Sequence, residues 1–390
     1  MGFLSGRVSF IRYRVAGASP RTFGPDHLKA LSALAAGKQR VADKDGIQVG
    51  WTGGEHVLDT RFDLAKNVVN DALTFAFRVD SERLPADLVR AYTAIELAAL
   101  SANNPSGSPS ARQKREAREN AKERLEQEAK DGRYIRRKLC DVLWDAPSNE
   151  LLIGTTAVTV LDRLLPHFER TFERKLKPIT AGSLAFGLAE AREQTRNVDD
   201  ASPSPFVPGI SPEEYAWVPD ETSRDFAGNE FLLWLWYTFD NESDTVTLAD
   251  KSEVVGMVAR TLSLECPRGQ TGKESITSEG PSRLPEAKRA VQAGKLPRKC
   301  GLTLVRHDLT YEFALHAETL AVTGGKLPPP AEENDRARLE ERVTRVRSLI
   351  ETLDLLYDAF GRRRFSREWT EELGKIQKWL ARPDRSRASA

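Results

Sequence analysis

The sequence predicts an α+β protein with mixed or antiparallel sheets, a protruding helical arm and a C-terminal helical hairpin. Three observations carry this prediction. Short segments with alternating apolar residues, such as 7-RVSFIRYRV-15 and 72-ALTFAFRVD-80, surround a helix-spaced stretch. Residues 111–130 are almost entirely charged, and Ala117, Ala121, Leu125 and Ala129 recur every fourth residue. Beyond 327-LPPPAEEND-335, apolar residues fall at Leu339, Val343, Val346, Ile350, Leu353, Tyr357 and Phe360, spaced alternately four and three apart.

In chain order, the strand at 7–15 places Val8, Phe10, Tyr13 and Val15 among Arg7, Arg12 and Arg14. A helix follows with Leu28, Leu31 and Leu34 three apart. Then come 47-IQVGW-51, a Gly53-Gly54 turn, 56-HVLDTRFD-63 and the strand at 72–80. Leu88, Tyr92, Ile95 and Leu100 lie near one face of a helix over 86–101, and 103-NNPSGSPS-110 is a turn. The 111–130 helix returns antiparallel as a mostly solvated arm; its seven basic and five acidic residues nearly cancel.

The strand 139-LCDVLW-144 and its return 150-ELLIGT-155 form a hairpin. A helix over 157–176 carries Pro166, where a bend is expected. The second half opens with a helix over 182–195 and a polar loop, 199-DDASPSPFVPGISPEE-214. The apolar 230-EFLLWLWYTF-239 reads as a core helix and 245–266 as a hairpin or meander. A Gly/Ser/Pro stretch over 267–283 leads to a short helix at 284–293 and a strand pair within 300–322. The expected domains are 1–180 with its arm at 86–130, 181–326, and the helical hairpin 331–381. The 339–360 seam serves either that intramolecular hairpin or an intermolecular coiled coil.

Bulk properties exclude several classes. Cys140, Cys266 and Cys300 are odd in number and far apart, which argues against a disulfide framework or a cysteine zinc site and for a reducing cytoplasm. MGFLSGRVSF lacks the apolar core of a secretory signal, and Gly6 stands where myristoylation needs Ser or Thr. The longest apolar run, 231-FLLWLWY-237, is far short of the roughly 20 residues of a membrane span. A net charge of +1 requires any polyanion-binding surface to come from local segregation.

Most apparent chemical motifs fail. In 267-PRGQTGKES-275, Pro267 replaces the first glycine of a phosphate loop and Glu274 its Ser/Thr, although Arg268 and Lys273 could still meet phosphate. His27, His56, His167, His307 and His316 are scattered without metal-ligand spacing. Asp59, Asp63, Asp80 and Glu82 group near strand ends, where they could hold magnesium in a nuclease or simply cap turns. No cofactor and no catalytic residue is assigned.

The segment 131-DGRYIRRKLCDVLWD-145 is different. Arg133, Arg136, Arg137 and Lys138 stand beside Tyr134 with no acid over 133–138. Cations neutralise phosphates and release counterions irrespective of base sequence, and an aromatic can lie on sugars or wedge at a base step. Alternatively, acids of the neighbouring arm neutralise these cations. No helix-turn-helix, zinc finger or RNP motif offers specific readout.

Several segments together resemble the recombination-associated RdgC family. They are 9-SFIRYRV-15, 47-IQVGW-51, the long charged helix, the basic-aromatic segment running into 143-LWD-145, and 285-PEAKRAVQAGKLPRKCGLTLVRHDLTYEFAL-315. The resemblance spans roughly 1–326 and rests most on Ala293-Gly294-Lys295 and the strands that follow. The 230–283 region looks expanded and 331–381 added. The resemblance implies a ring-forming homodimer that binds double-stranded DNA without sequence preference and restrains the strand-exchange recombinase, in the cytoplasm at the nucleoid. It places the family's aromatic finger near Tyr134, with Arg133, Arg136, Arg137 and Lys138 beside it, and makes Lys295 a second DNA-binding candidate. A magnesium-dependent nuclease using Asp59, Asp63 or Asp80, and a scaffold protein recruiting a helix through the 339–360 seam, are the alternatives.

Overall fold

The computed structural model describes residues 2–38, 46–102, 108–209, 215–218, 220–268 and 272–382. Residues 103–107 of the 103–110 turn, residues 210–214 of the 199–214 loop and residues 269–271 of the phosphate-loop look-alike lie outside them. The strands are β1 (Val8–Val15), β2 (Ile47–Thr52), β3 (Val68–Val69), β4 (Ala72–Glu82), β5 (Ile135–Asp145), β6 (Glu150–Ile153), β7 (Leu176–Pro178), β8 (Thr245–Thr247), β9 (Glu253–Glu265), β10 (Lys273–Ser278), β11 (Leu296–Arg306), β12 (Leu309–His316) and β13 (Val322–Lys326). The helices are α1 (Pro25–Ala33), α2 (Leu64–Asn67), α3 (Ala86–Ser101), α4 (Ala111–Ala129), α5 (Val158–Phe172), α6 (Ala181–Glu190), α7 (Thr195–Asp199), α8 (Phe226–Tyr237), α9 (Pro285–Gln292), α10 (Asp335–Arg364) and α11 (Trp369–Ala381). The class is α+β, built on antiparallel pairing.

The chain divides into two compact units whose boundaries differ from 1–180, 181–326 and 331–381. The larger comprises 1–23, 67–74 and 141–390; the smaller comprises 24–66 and 75–140. The C-terminal helices therefore do not stand alone, because they share a core with the strands before them.

In the larger unit the strand order is β10-β9-β11-β12-β13-β1-β6-β5. Helix α8 is its centre. All twelve of its residues are buried, so it shows no polar face and needs cover on every side. Gly228 brings it onto the end of β12: a Cβ there would lie 1.9 Å from the Ala317 carbonyl oxygen. Its aromatic residues pack on the C-terminal helices, Phe231 on Tyr357 at 5.0 Å and Trp236 on Trp379 at 5.5 Å. The 339–360 seam is thus spent inside the chain, and Leu349 and Leu356 widen it into a core-facing stripe. Of the stretch read as a 267–283 loop, residues 273–278 form β10, an edge strand whose polar side chains hid it.

Buried charges tie helices to strands. Arg12, 3% exposed, donates to Glu150 at 3.0 Å and to Asp354 of α10 at 2.5 Å. Burial alone would weaken its charge. Asp354 and Glu150 together outweigh that effect and hold Arg12 above its ordinary value. Glu230 of α8, fully buried, accepts from Arg364 and from the Ser204 amide at 2.7 Å.

The smaller unit contains α1, α3, α4, β2 and most of β4 and β5. Trp51 packs edge-on to Phe75 at 5.0 Å and against Phe77 at 5.3 Å. Helices α3 and α4 form the antiparallel arm: Gln113 reaches the Leu100 carbonyl, and Tyr92 reaches Glu128. Only the small residues of α4 (Ala117, Ala121, Ala129) and Leu125 are buried, which lets the largely polar α4 approach the more apolar α3 closely. Ser110 caps α4 and Gln113 reciprocates to its backbone. Among the described residues no helix is long and apolar enough to cross a membrane.

Candidate nucleic-acid interface

The two units divide the charge of the chain. The smaller holds twenty Lys and Arg against sixteen Asp and Glu, the larger thirty-eight against forty-one, so a total of +1 resolves into +4 and −3. Segregation is modest, but it favours the unit that carries the basic segment.

That segment is not a loop tip. Residues from Ile135 onward are already strand, so successive side chains leave opposite faces. Arg136 and Lys138 therefore share one face, and Arg137 lies on the other. Arg136 and Lys138 are exposed and have no carboxylate partner among the described residues. Arg137 is turned toward Asp80 of β4, with Nε 3.9 Å from its carboxylate, and Asp80 is also held by Arg78 at 2.8 Å.

Upstream, the acids do compete. Arg133 is chelated by Asp131 through Nε and Nη2, at 2.8 and 2.5 Å to Oδ2. The Arg133 hydrogen bonds draw the Asp131 carboxyl below its usual range, and Asp131 raises Arg133 in return. The Tyr134 hydroxyl donates to Glu128 Oε2 at 2.9 Å, while Tyr92 donates to Oε1 at 2.8 Å. Arg124 stacks over the Tyr92 ring at 4.2 Å. Burial first, then Glu128, raises the Tyr134 phenol; the hydrogen bonds from Tyr92 and then Tyr134 lower Glu128.

Lys295 does not belong to this set. It is 5% exposed, lies in the larger unit between α9 and β11, and its ammonium is taken by Glu274 of β10. The residue that displaced it from the surface, Glu274, was read only as a defect in a phosphate loop. A further cation was missed. Arg83, at the end of β4, is exposed without a carboxylate partner among the described residues, and its amide donates to the Tyr134 carbonyl at 3.3 Å. Only strand pairing brings it there from fifty residues upstream.

The acids proposed for magnesium have structural work. Asp59 is buried and accepts from Lys66 at 2.9 Å and from the amides of Glu55 and Arg61. Asp63 caps α2 through the Ala65 amide at 2.8 Å, and Asp80 serves Arg78. Glu82 is exposed. Among the described residues no group of three or more His, Cys, Asp or Glu is placed to hold a metal ion.

Fold and surface together define an α+β protein with a fixed cationic strand beside a helical arm. Compared with protein-family models and with curated proteins, the chain matches none.

Proposed function

We propose that this protein binds double-stranded DNA without sequence preference, as a diverged, longer relative of the RdgC family. In this reading it acts as a ring-forming homodimer that modulates recombination by occupying DNA, in the cytoplasm at the nucleoid. The observation that carries the reading is the exposed, unpaired pair Arg136 and Lys138 on one face of a strand. Side chains two apart on a strand lie roughly 7 Å from each other, close to the spacing of successive phosphates along one DNA strand. Arg83 extends the cationic surface, and Tyr134 supplies an aromatic group whose position Glu128 fixes. A two-fold assembly would duplicate the patch and offset its small size.

The test is duplex binding by fluorescence anisotropy across a salt series, with unrelated sequences. Arg136→Glu with Lys138→Glu weakens binding equally on all of them and makes the salt dependence shallower by roughly two phosphate contacts per chain, each about 0.9 in the log–log slope. Unchanged affinity and slope in that double variant, or magnesium-dependent cleavage of the duplex, overturns the reading.

A further inference from the structure

Between the strands β1, β6 and β5 and the helices α6 and α10, the larger unit encloses a cleft of about 690 Å³. Its floor is Leu143 and Leu152, and its walls are Val343, Val346 and Ile350 of α10 and Leu188 of α6. The cleft is open to solvent past the exposed Glu351 and Arg362 side chains. Ion pairs span it as struts and fix the spacing of its sides. Arg12 joins β1 to Asp354 of α10 at 2.5 Å, and Arg347 of α10 reaches back to Asp145 of β5 at 2.7 Å. Arg192, just beyond α6, pairs with Asp358 of α10, which Arg362 also holds at 2.7 Å.

The electrostatics of the cleft narrow what it can take. Each guanidinium lining it (Arg12, Arg192, Arg347, Arg362) already has a carboxylate partner. The remaining acid, Glu351, is bonded to Arg306 at 2.9 Å. With Arg306 counted, five carboxylates face five guanidiniums, so the cleft offers neither an anion nor a cation a net charge to bind. A cation would have to break a strut. Apart from the buried Nε of Arg192, what is left open is mainly the apolar surface of Leu188, Ile350 and Leu355, in a volume typical of small-molecule sites.

We infer that this cleft is a binding site for an uncharged, predominantly apolar small molecule, held by the aliphatic walls between β6 and α10. The cationic residues Arg136 and Lys138 belong to the other compact unit, although the strand that carries them, β5, runs on into the cleft at Leu143 and Asp145. Occupation would join α10 to the sheet through apolar contact as well as through the struts, and so raise the stability of the larger unit.

The experiment uses two fluorescent probes of one skeleton on the intact protein. Neutral N-phenyl-1-naphthylamine is expected to bind saturably with one equivalent per chain, at least tenfold tighter than anionic 8-anilino-1-naphthalenesulfonate. Leu188→Trp and Ile350→Trp, both at half-buried wall positions, each lower the neutral probe's affinity at least tenfold, whereas Ile350→Met, which conserves volume, keeps it. No saturable binding of the neutral probe, a preference for the anionic one, or full binding in both Trp variants overturns the proposal. The probe comparison needs no variant, so a Trp substitution that failed to fold would leave the proposal open to refutation.

Discussion

The hydroxyl of Tyr134 donates to Glu128 Oε2 at 2.9 Å, which ties the aromatic side chain among the cations to the last turn of α4. The neighbouring Arg133 is held in the same way by Asp131. The foot of the arm therefore presents its cations in two states: Arg133 already engaged by a carboxylate, Arg136 and Lys138 open. In the proposed reading, Asp131 competes with a phosphate for Arg133.

Removing that competitor is expected to strengthen binding. Asp131→Asn keeps the turn geometry but loses the charge. It is predicted to tighten duplex affinity a few-fold and to steepen the log–log salt dependence by about one phosphate contact per chain. Anisotropy titrations from low to moderate salt measure both quantities. An unchanged slope would mean that Arg133 never meets a phosphate.

Lys295→Met separates the two candidate cation sites. Because the ammonium is buried and already neutralised by Glu274, its loss is predicted to leave duplex affinity and salt slope as they are. The stability cost is small, about 1 kcal/mol or less, since Glu274 is 42% exposed and water takes over its charge. Urea unfolding and the same anisotropy series check the two halves of this expectation.

Local periodicity made much of this molecule legible in advance. The 86–101 helix, the Ala117–Ala129 stripe of the arm and the wholly buried α8 follow from spacing or from apolar content alone. What could not be read was pairing between distant segments. The row Arg136, Arg137, Lys138 looks like one basic patch in sequence. The pleat of β5 splits it, and Asp80, more than fifty residues away, takes the middle member. Lys295 matched a motif, yet the strand that buries it, β10, is polar enough to pass for a loop. The 339–360 heptads favour an intramolecular partner without naming it; the partner is α8, itself in need of cover.

The buried pair of Glu230 and Arg364 is predicted to be the most sensitive ionic contact in the larger unit. Arg364→Met leaves a fully buried carboxylate with little beyond the Ser204 amide to solvate it, a loss of about 3–5 kcal/mol. Glu230→Gln combined with Arg364→Met is expected to lose less than the two single losses added, because neither charge is then stranded. Urea unfolding of the three variants measures this. Simple additivity would show that the pair is not coupled.

His316 predicts a specific pH dependence. Burial first, and then the cations Lys299, Arg298 and Lys273, lower its pKa from 6.5 to about 4. Lys299 is its direct cross-strand partner in the β11–β12 ladder. Above pH 6.5 the imidazole is neutral both folded and unfolded, and it contributes nothing to the pH dependence. As pH falls from 6.5 toward 4, the unfolded chain takes up a proton that the folded chain refuses, so stability declines across that window and levels off below it. The full shift corresponds to about 3 kcal/mol, reduced by whatever solvent screening the partly buried ring retains. His316→Gln is predicted to remove this decline. Urea unfolding of both proteins at intervals between pH 7 and pH 5, where most carboxylates remain ionised, should give a stability difference that is constant near pH 7 and shifts progressively in favour of His316→Gln as the pH drops. Parallel curves would mean that the ring is protonated in the folded protein as readily as in water.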